Sequence, residues 1–117
     1  MRRKIYAIDF DGTIVEDKWP EIGKERKETT DFIKAIQDIG CQWFLWTCRT
    51  EENLNKAIDW CLHHGLYPDA VNEGLHPLYV SGKWRPVKPY ADVYIDDKSS
   101  GGLIIPPLPS SPFAHEE

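Results

Sequence analysis

The chain has 117 residues, of which 41% are hydrophobic, enough for one domain with a single core. Its formal net charge of −5 argues against an extensive nucleic-acid-binding surface. No apolar stretch reaches the roughly 18 residues of a membrane span, and none resembles the apolar region of a signal peptide. Cys41, Cys48 and Cys61 lack the CxxC spacing of zinc and redox sites. We therefore expect a reduced, cytoplasmic protein that does not associate with membranes.

A short apolar strand near the N-terminus ends in two carboxylates. Residues 4–8 are rich in β-branched and aromatic side chains, and they lead directly into Asp9, Phe10, Asp11 and Gly12. In parallel α/β sheets, ligands bind at the carboxyl ends of the strands. Two acids at such an end attract a hard cation, and they can take different chemical roles if their environments differ. The alternative is a solvated Asp-x-Asp-Gly turn, because Asp and Gly are common turn residues.

The rest of the chain alternates between helical and strand patterns. Apolar residues at helical spacing followed by a glycine indicate two helices, and short apolar runs indicate strands. The predicted elements after the first strand are a helix over about 24–39, a strand over 41–47, a helix over 51–64 capped by Thr50, and strands over 70–72, 91–95 and 103–105. This order predicts an α/β fold, a Rossmann-like three-layer sandwich with a parallel central sheet and helices on both faces.

Three segments have the composition of irregular structure. Residues 15–23 contain Trp19-Pro20 and cannot be a regular helix, and glycines and prolines interrupt residues 73–90. From residue 106 onward, the Pro-rich composition favours a disordered tail, so we assign a domain core to 1–105 and a tail to 106–117. The alternative is that Phe113, the one large aromatic residue of the tail, docks on the domain or on a neighbouring subunit.

Polar residues suited to phosphate chemistry follow three of the predicted strands. They are Asp9 and Asp11, then Thr47, and then Asp96 and Asp97. Parallel strands bring their carboxyl ends to one edge of a sheet, so these side chains should converge. Clustered carboxylates need a cation, whereas Thr47 and Lys88, which precedes the last of these strands, need an anion. A Mg²⁺ ion together with a phosphoryl group satisfies both demands.

At this point the chain resembles the haloacid dehalogenase-like (HAD) phosphohydrolase superfamily. The resemblance rests on DFDGTI at 9–14, the Thr in FLWTCRT, a downstream Lys and IDD at 95–97. These motifs occur in the family's order and span most of residues 4–100. Neither insertion point of the family leaves room for a cap domain here. The chain is therefore similar to small capless members, with space only for a flap after Ile14.

The resemblance implies a role for each matching residue. Asp9 would be the nucleophile that forms an aspartyl-phosphate, and Asp11 the acid and base that protonates the leaving group and then activates water. The implied phosphate-binding residues are Phe10, Asp11, Thr47, Cys48 and Lys88. The implied Mg²⁺ ligands are Asp9, the Asp11 carbonyl, Asp96 and Asp97, with Asp97 preferred over Asp96 as the direct ligand.

Several of these assignments have rivals. Lys83 competes with Lys88 for the site lysine, and Lys88 is preferred because it lies closer to the following strand. Arg49 either binds a second phosphate or carboxylate of the substrate or is a surface residue near the second helix. Cys48 is interpreted as a small buried filler and not as a thiol nucleophile. Trp19 and Trp84, both in loops, are candidates for lining the substrate entrance.

The function that the resemblance implies is Mg²⁺-dependent hydrolysis of phosphate monoesters. One alternative is a polynucleotide 3′-phosphatase-like activity, because IDD followed by Lys98 and the Thr47-Cys48-Arg49 loop resemble polynucleotide kinase-phosphatases. Another is a non-catalytic binding module that retains the HAD fold. The partner is expected to be a phosphorylated small metabolite or a nucleic-acid end.

Overall fold

The computed structural model describes residues 1–82, 89–98 and 101–115, and within them the chain alternates between strands and helices. In chain order, the elements are β1 (Ile5–Asp9), β2 (Val15–Lys18), β3 (Glu21–Glu25), α1 (Lys27–Ile39), β4 (Gln42–Trp46), α2 (Glu51–His63), β5 (Ala70–Val71), α3 (Pro77–Val80) and β6 (Val93–Ile95). No helix among these residues is long and apolar enough to cross a membrane.

Four of the strands form one parallel sheet in the order β5-β4-β1-β6. β1 is central, with Asp9 opposite Trp46 of β4 and Ile8 opposite Ile95 of β6. The carboxyl ends of these three strands are therefore level with one another. The residues that follow them, including the predicted site residues, emerge at the same edge of the sheet.

Both long helices pack on one face of this sheet. The connections β1-α1-β4 and β4-α2-β5 each move one strand further in the same direction, so right-handed crossovers place both helices on the same side. Strand side chains alternate between the faces, and both faces are buried, as the apolar run at 41–47 predicted. The helix-facing core contains Tyr6, Ile8, Trp43 and Leu45 from the strands, with Phe32, Ile33, Ile36, Ala57 and Cys61 from the helices.

The opposite face is covered by the connection from β5 to β6, which contains α3. Leu75 and Ala91 from this connection pack with Ile5, Ala7 and Phe44. The chain thus forms three layers, and the predicted Rossmann-like α/β architecture is confirmed. The third layer differs from the expectation of helices on both faces, because α3 has only four residues in the described part of the connection.

Some element boundaries differ from the predicted ones. Residues 15–25 form an antiparallel hairpin, β2–β3, with Trp19-Pro20 at its turn, and we call this hairpin the flap. Because Glu25 pairs with Val15, α1 begins at Lys27, three residues later than predicted. Thr50 occupies the N-cap position of α2, but its side chain makes no capping hydrogen bond.

The strand predicted over residues 103–105 does not form. Gly101 and Gly102 both have positive φ angles of 87° and 82°, which turn the chain before this segment, and prolines that lack an N–H donor follow it. Leu103 and Ile105 instead pack on the helix-facing core without pairing to β6.

The tail assigned to 106–117 returns to the N-terminal segment. The Lys4 N–H donates to the Pro112 carbonyl at 2.7 Å, and the Ala114 N–H donates to the Arg2 carbonyl at 3.1 Å. Between them, Arg3 and Phe113 form an antiparallel bridge. Proline withholds a donor but its carbonyl still accepts, so the composition is compatible with this pairing. These contacts favour the docking alternative over a disordered tail, although the Phe113 side chain remains 37% exposed.

We expect truncation after Ile105 to lower the melting temperature by several degrees. Each lost backbone hydrogen bond is worth about 1 kcal/mol net, and such losses shift the melting temperature of a small domain by roughly 4–8 °C per kcal/mol. Thermal melts followed by circular dichroism would measure the change. A chain lacking only residues 115–117 keeps the pairing and is the control. Identical melts for all three proteins would place the boundary of the folded domain at residue 105.

Candidate functional site

Three carboxylates converge at the edge of the sheet where β1 and β6 end. Asp9 is the last residue of β1, and Asp96 and Asp97 follow β6 directly. One carboxylate oxygen of each lies within 4.8 Å of those of the other two. This acidic cluster brings together three of the four acids that the sequence singled out, because the parallel register levels the ends of their strands.

Gly12 makes room for the acidic cluster. Its φ of 84° is in the left-handed region, and a Cβ atom built on it would lie 2.1 Å from Oδ2 of Asp97. The tight turn around it is held by the Phe10 carbonyl, which accepts hydrogen bonds from the Thr13 and Ile14 N–H groups. A side chain at position 12 would therefore both strain the backbone and displace Asp97.

Thr13 joins the two strand ends and was not singled out by the sequence analysis. Its side chain is fully buried, and its Oγ1 accepts from the Asp97 N–H at 3.1 Å. The same hydroxyl lies 3.4 Å from Oδ2 of Asp9, to which it donates a long hydrogen bond. A buried hydroxyl needs hydrogen-bond partners. The signal in the sequence that could have identified Thr13 is its position, because it is a polar residue directly after the turn glycine.

The acids of the cluster are held in an unfavourable electrostatic environment. Burial, followed by the charge of Asp96, raises the pKa of Asp9 to about 7, against the lowering effect of a hydrogen bond from the Phe10 backbone. Burial and the neighbouring Asp96 also raise the pKa of Asp97. Among the described residues, nothing forms a hydrogen bond with the buried Oδ1 of Asp97. Crowded carboxylates with an unpaired buried oxygen fit a hard divalent cation.

A cavity of about 230 Å³ opens beside the acidic cluster. It is lined by Asp9, Asp11, Asp17, Trp19, Thr47, Cys48 and Lys98. Trp19, at the turn of the flap, lies at this cavity as expected and is 61% exposed. Cys48 is exposed, so the interpretation as a buried filler is wrong: it follows β4 into the loop at the cavity and does not point into the core.

Thr47 is oriented from both sides. Its N–H donates to Oδ1 of Asn72 at 2.8 Å, and its Oγ1 accepts from the Arg49 N–H at 3.1 Å. Among the described residues no hydrogen bond uses the hydroxyl proton of Thr47, so this proton can be donated into the cavity. Asn72 follows β5 and has a φ of 54°, which Asn tolerates better than most residues.

The structure gives Arg49 a partner that neither sequence interpretation named. Arg49 is only 2% exposed, so it is not a surface residue. Its guanidinium does not line the cavity but forms a bidentate ion pair with Asp11, with both N–O distances at 2.7 Å. The Asp11 carboxylate consequently lies apart from the acidic cluster, and its predicted contribution to metal binding through its carbonyl stays a prediction.

The predicted site lysines, Lys83 and Lys88, lie outside the described residues, as does Trp84. Among the described residues that line the cavity, Lys98 is the cationic one. In the sequence, Lys98 is the residue that directly follows the IDD motif, and no site role was predicted for it. Its position directly after the two acids was the signal that could have found it.

A larger cavity, of about 540 Å³, lies between the flap and α2. Its lining includes Glu21, Lys56, Trp60 and His64, and the last two rings stack at 3.7 Å. It contains none of the acidic cluster residues. The predicted site residues Asp9, Asp11, Thr47 and Cys48 line the smaller cavity instead.

The chain matches no family model, and no curated protein matches it. Among solved structures, it is similar to a conserved protein from Bacteroides thetaiotaomicron. The two share 35% identity over 89% of this chain and 84% of the other, with a TM-score of 0.77. The chain belongs to the family of this Bacteroides protein. The Bacteroides protein is described only as conserved. Membership in its family therefore supports the fold but indicates no particular chemistry.

We expect ionisation of Asp9 to lower the stability of the metal-free protein as the pH rises. The pKa of Asp9 is raised from 3.8 to about 7, so the folded state holds this proton more tightly than the unfolded state. Deprotonation therefore costs stability progressively from about pH 4 to about pH 7. In EDTA, the melting temperature of Asp9→Asn minus that of the wild type should increase from pH 5 to pH 8, and Mg²⁺ should shrink this difference.

Differential scanning fluorimetry at several pH values would measure this difference. Asp59→Asn, which changes an exposed acid of α2, is the matched control and should follow the wild type at every pH. A difference between Asp9→Asn and wild type that is independent of pH would contradict the crowding of the acidic cluster.

Proposed function

We propose that this protein is a small capless HAD-type phosphatase that hydrolyses phosphate monoesters with Mg²⁺ through an aspartyl-phosphate intermediate. The observation that carries the proposal is the position of Asp9. This one carboxylate belongs to the acidic cluster and also lines the neighbouring cavity. A group in that position can face a cation on one side and a phosphoryl group on the other.

The acidic cluster supports the metal assignment. Asp9, Asp96 and Asp97 would hold the ion, and the unpaired Oδ1 of Asp97 favours it as a direct ligand. When bound, Mg²⁺ would offset the charge of the three acids and polarise a phosphoryl oxygen. The relief of carboxylate repulsion would leave Asp9 ionised and able to act as a nucleophile at neutral pH.

The protein groups divide the two chemical steps between them. In the first, a carboxylate oxygen of Asp9 attacks phosphorus, the bond to the ester oxygen breaks, and Asp11 gives that oxygen a proton. In the second, Asp11 takes a proton from water, whose oxygen attacks phosphorus and releases phosphate and Asp9. The Thr47 hydroxyl accepts from the Arg49 N–H and can donate its own proton to a phosphoryl oxygen. Positioning and electrostatics supply most of the rate in such reactions.

The cavity favours substrates whose bulk remains outside it. A volume of about 230 Å³ accommodates a phosphoryl group and a small part of the molecule that carries it. Lys98 at the cavity adds a positive charge suited to an anionic substrate. A phosphorylated small metabolite fits these features. The net charge of −5 opposes extended contact with nucleic acid but not binding of a small substrate.

A second candidate is a 3′-phosphorylated nucleic-acid end. The exposed ring of Trp19, which lines the same cavity as Lys98, is the observation that favours it, since aromatic side chains stack on bases of single strands. A negative net charge opposes an extended contact with nucleic acid but not recognition of a single terminal nucleotide.

We expect phosphate release from at least one class of phosphate ester, and we expect it to require Mg²⁺. The assay would use sugar phosphates, nucleotides and 3′-phosphorylated oligonucleotides, each with Mg²⁺ and with EDTA. EDTA should abolish the activity and added Mg²⁺ should restore it, whereas Ca²⁺ should replace it poorly because Ca²⁺ favours looser, higher coordination. Full activity in the chelator would contradict the metal assignment.

Replacing Asp9 by Asn should remove turnover without unfolding the domain. Loss of a nucleophile typically costs about 10³-fold or more in kcat, whereas neutralising one member of the acidic cluster relieves repulsion. The measurement is kcat with the best substrate of the panel, together with a thermal melt. Asp59→Asn, on the exposed side of α2, should retain normal turnover.

Three results would revise this assignment. Wild-type turnover by pure Asp9→Asn would remove Asp9 from the nucleophile role. Vanadate binding by a wild-type protein that turns over no ester would favour the alternative of a non-catalytic module. Release of phosphate from 3′-phosphorylated oligonucleotides alone would favour the nucleic-acid candidate.

A further inference from the structure

Arg49 is a buried cation whose guanidinium joins its own loop to two other parts of the chain. Nε and Nη2 donate to the two carboxylate oxygens of Asp11, both at 2.7 Å. Nη1 donates to the Pro20 carbonyl at 3.1 Å, and Nη2 donates to the Glu21 carbonyl at 2.8 Å. The loop after β1, the loop after β4 and the turn of the flap therefore meet at one side chain.

The guanidinium has no donor left for a substrate. An arginine side chain carries five N–H donors, and the contacts with Asp11, Pro20 and Glu21 use four of them. Nη1 also lies 3.5 Å from the Asn53 carbonyl, which takes the fifth. The Cζ atom also lies over the Phe10 ring, 5.3 Å from its centroid, within the range of a cation–π contact.

We infer that Arg49 is a positioning residue that couples the closed position of the flap to the orientation of Asp11. This inference rests on the proposed function, in which Asp11 is the acid and base. Asp11 holds Arg49 by charge, and Arg49 holds the flap through the carbonyls of Pro20 and Glu21. If the flap opens, the guanidinium loses two acceptors, and its hold on Asp11 loosens with them.

The geometry requires an arginine. A lysine ammonium is a point charge with three donors, so it cannot span both oxygens of Asp11 and two carbonyls in one plane. Arg49→Lys therefore keeps a positive charge beside Asp11 and removes the connection to the flap. This separates the positioning role from a general effect of burying a cation.

The first measurement is hydrogen exchange of the backbone amides of the flap, residues 15–25, which needs no activity. We expect exchange there to become about tenfold faster or more in Arg49→Lys, as for a locally destabilised segment. Asp11→Asn weakens the same ion pair from the other side and should loosen the flap in the same way. Arg26→Lys, a matched change at a partly exposed arginine next to the flap, should leave its exchange unchanged.

The second measurement compares substrates that differ in their need for an acid. Aryl phosphates with good leaving groups need little protonation, whereas alkyl phosphates depend on it. General acid catalysis contributes about 10²–10⁴-fold, so Arg49→Lys should lower kcat for alkyl phosphates by at least about tenfold more than for aryl phosphates. A merely structural role would lower both equally. Arg26→Lys should keep the ratio of the wild type.

Unchanged hydrogen exchange of the flap in both Arg49→Lys and Asp11→Asn would overturn the coupling. If Arg49→Lys does not fold, the exchange of Asp11→Asn alone tests the coupling. An equal loss of kcat for alkyl and aryl phosphates would overturn the positioning of Asp11. If the wild type hydrolyses no ester with Mg²⁺, the proposed function fails. The exchange measurement still supports or overturns the link between Asp11, Arg49 and the flap in that case.

Discussion

Three carboxylates repel one another at the end of the central sheet, and the residues next to them are arranged to accommodate this repulsion. Asp9, Asp96 and Asp97 lie within 4.8 Å of one another, and burial together with Asp96 raises the pKa of Asp9 to about 7. Such an arrangement costs stability unless a cation offsets it. Two neighbouring residues make it possible. Gly12 leaves space for the Asp97 carboxylate, and the buried Thr13 hydroxyl joins the ends of β1 and β6.

The two acids of the Asp9-Phe10-Asp11 segment have opposite surroundings, although only one residue separates them. Asp9 faces other carboxylates, whereas Asp11 faces the guanidinium of Arg49. Enzymes that assign different roles to two acids do so through such differences in environment. In the proposed reaction, Asp9 is the nucleophile and Asp11 moves protons. Phe10, between them in the sequence, is buried, and the centroid of its ring lies 5.3 Å from the Arg49 Cζ.

The flap and the tail both lie outside the central sheet, and each is attached by specific contacts. Arg49 anchors the turn of the flap through two backbone carbonyls, while Trp19 on the same turn lines the cavity. The tail pairs with residues 2–4 through backbone hydrogen bonds. In both cases a segment of irregular composition is fixed by backbone groups. Side-chain patterns give little information on such contacts, because every residue carries a carbonyl.

The sequence by itself determined the parallel α/β architecture, the order of the main helices and strands along the chain, and the candidate acids. Apolar runs and helical spacing are local signals, and the rule that parallel strands share their carboxyl edge extends them to the site. The sequence did not predict the hairpin over 15–25 or the start of α1, and the strand that it predicted over 103–105 does not form. Strand pairing depends on a partner distant in sequence, which local patterns do not reveal. The partner of Arg49 was likewise undetermined, since a guanidinium suits a substrate phosphate and a carboxylate equally well. Only the tertiary structure decided between them, by burying Arg49 beneath the flap and bringing the Asp11 carboxylate, 38 residues away in the chain, within 2.7 Å of it.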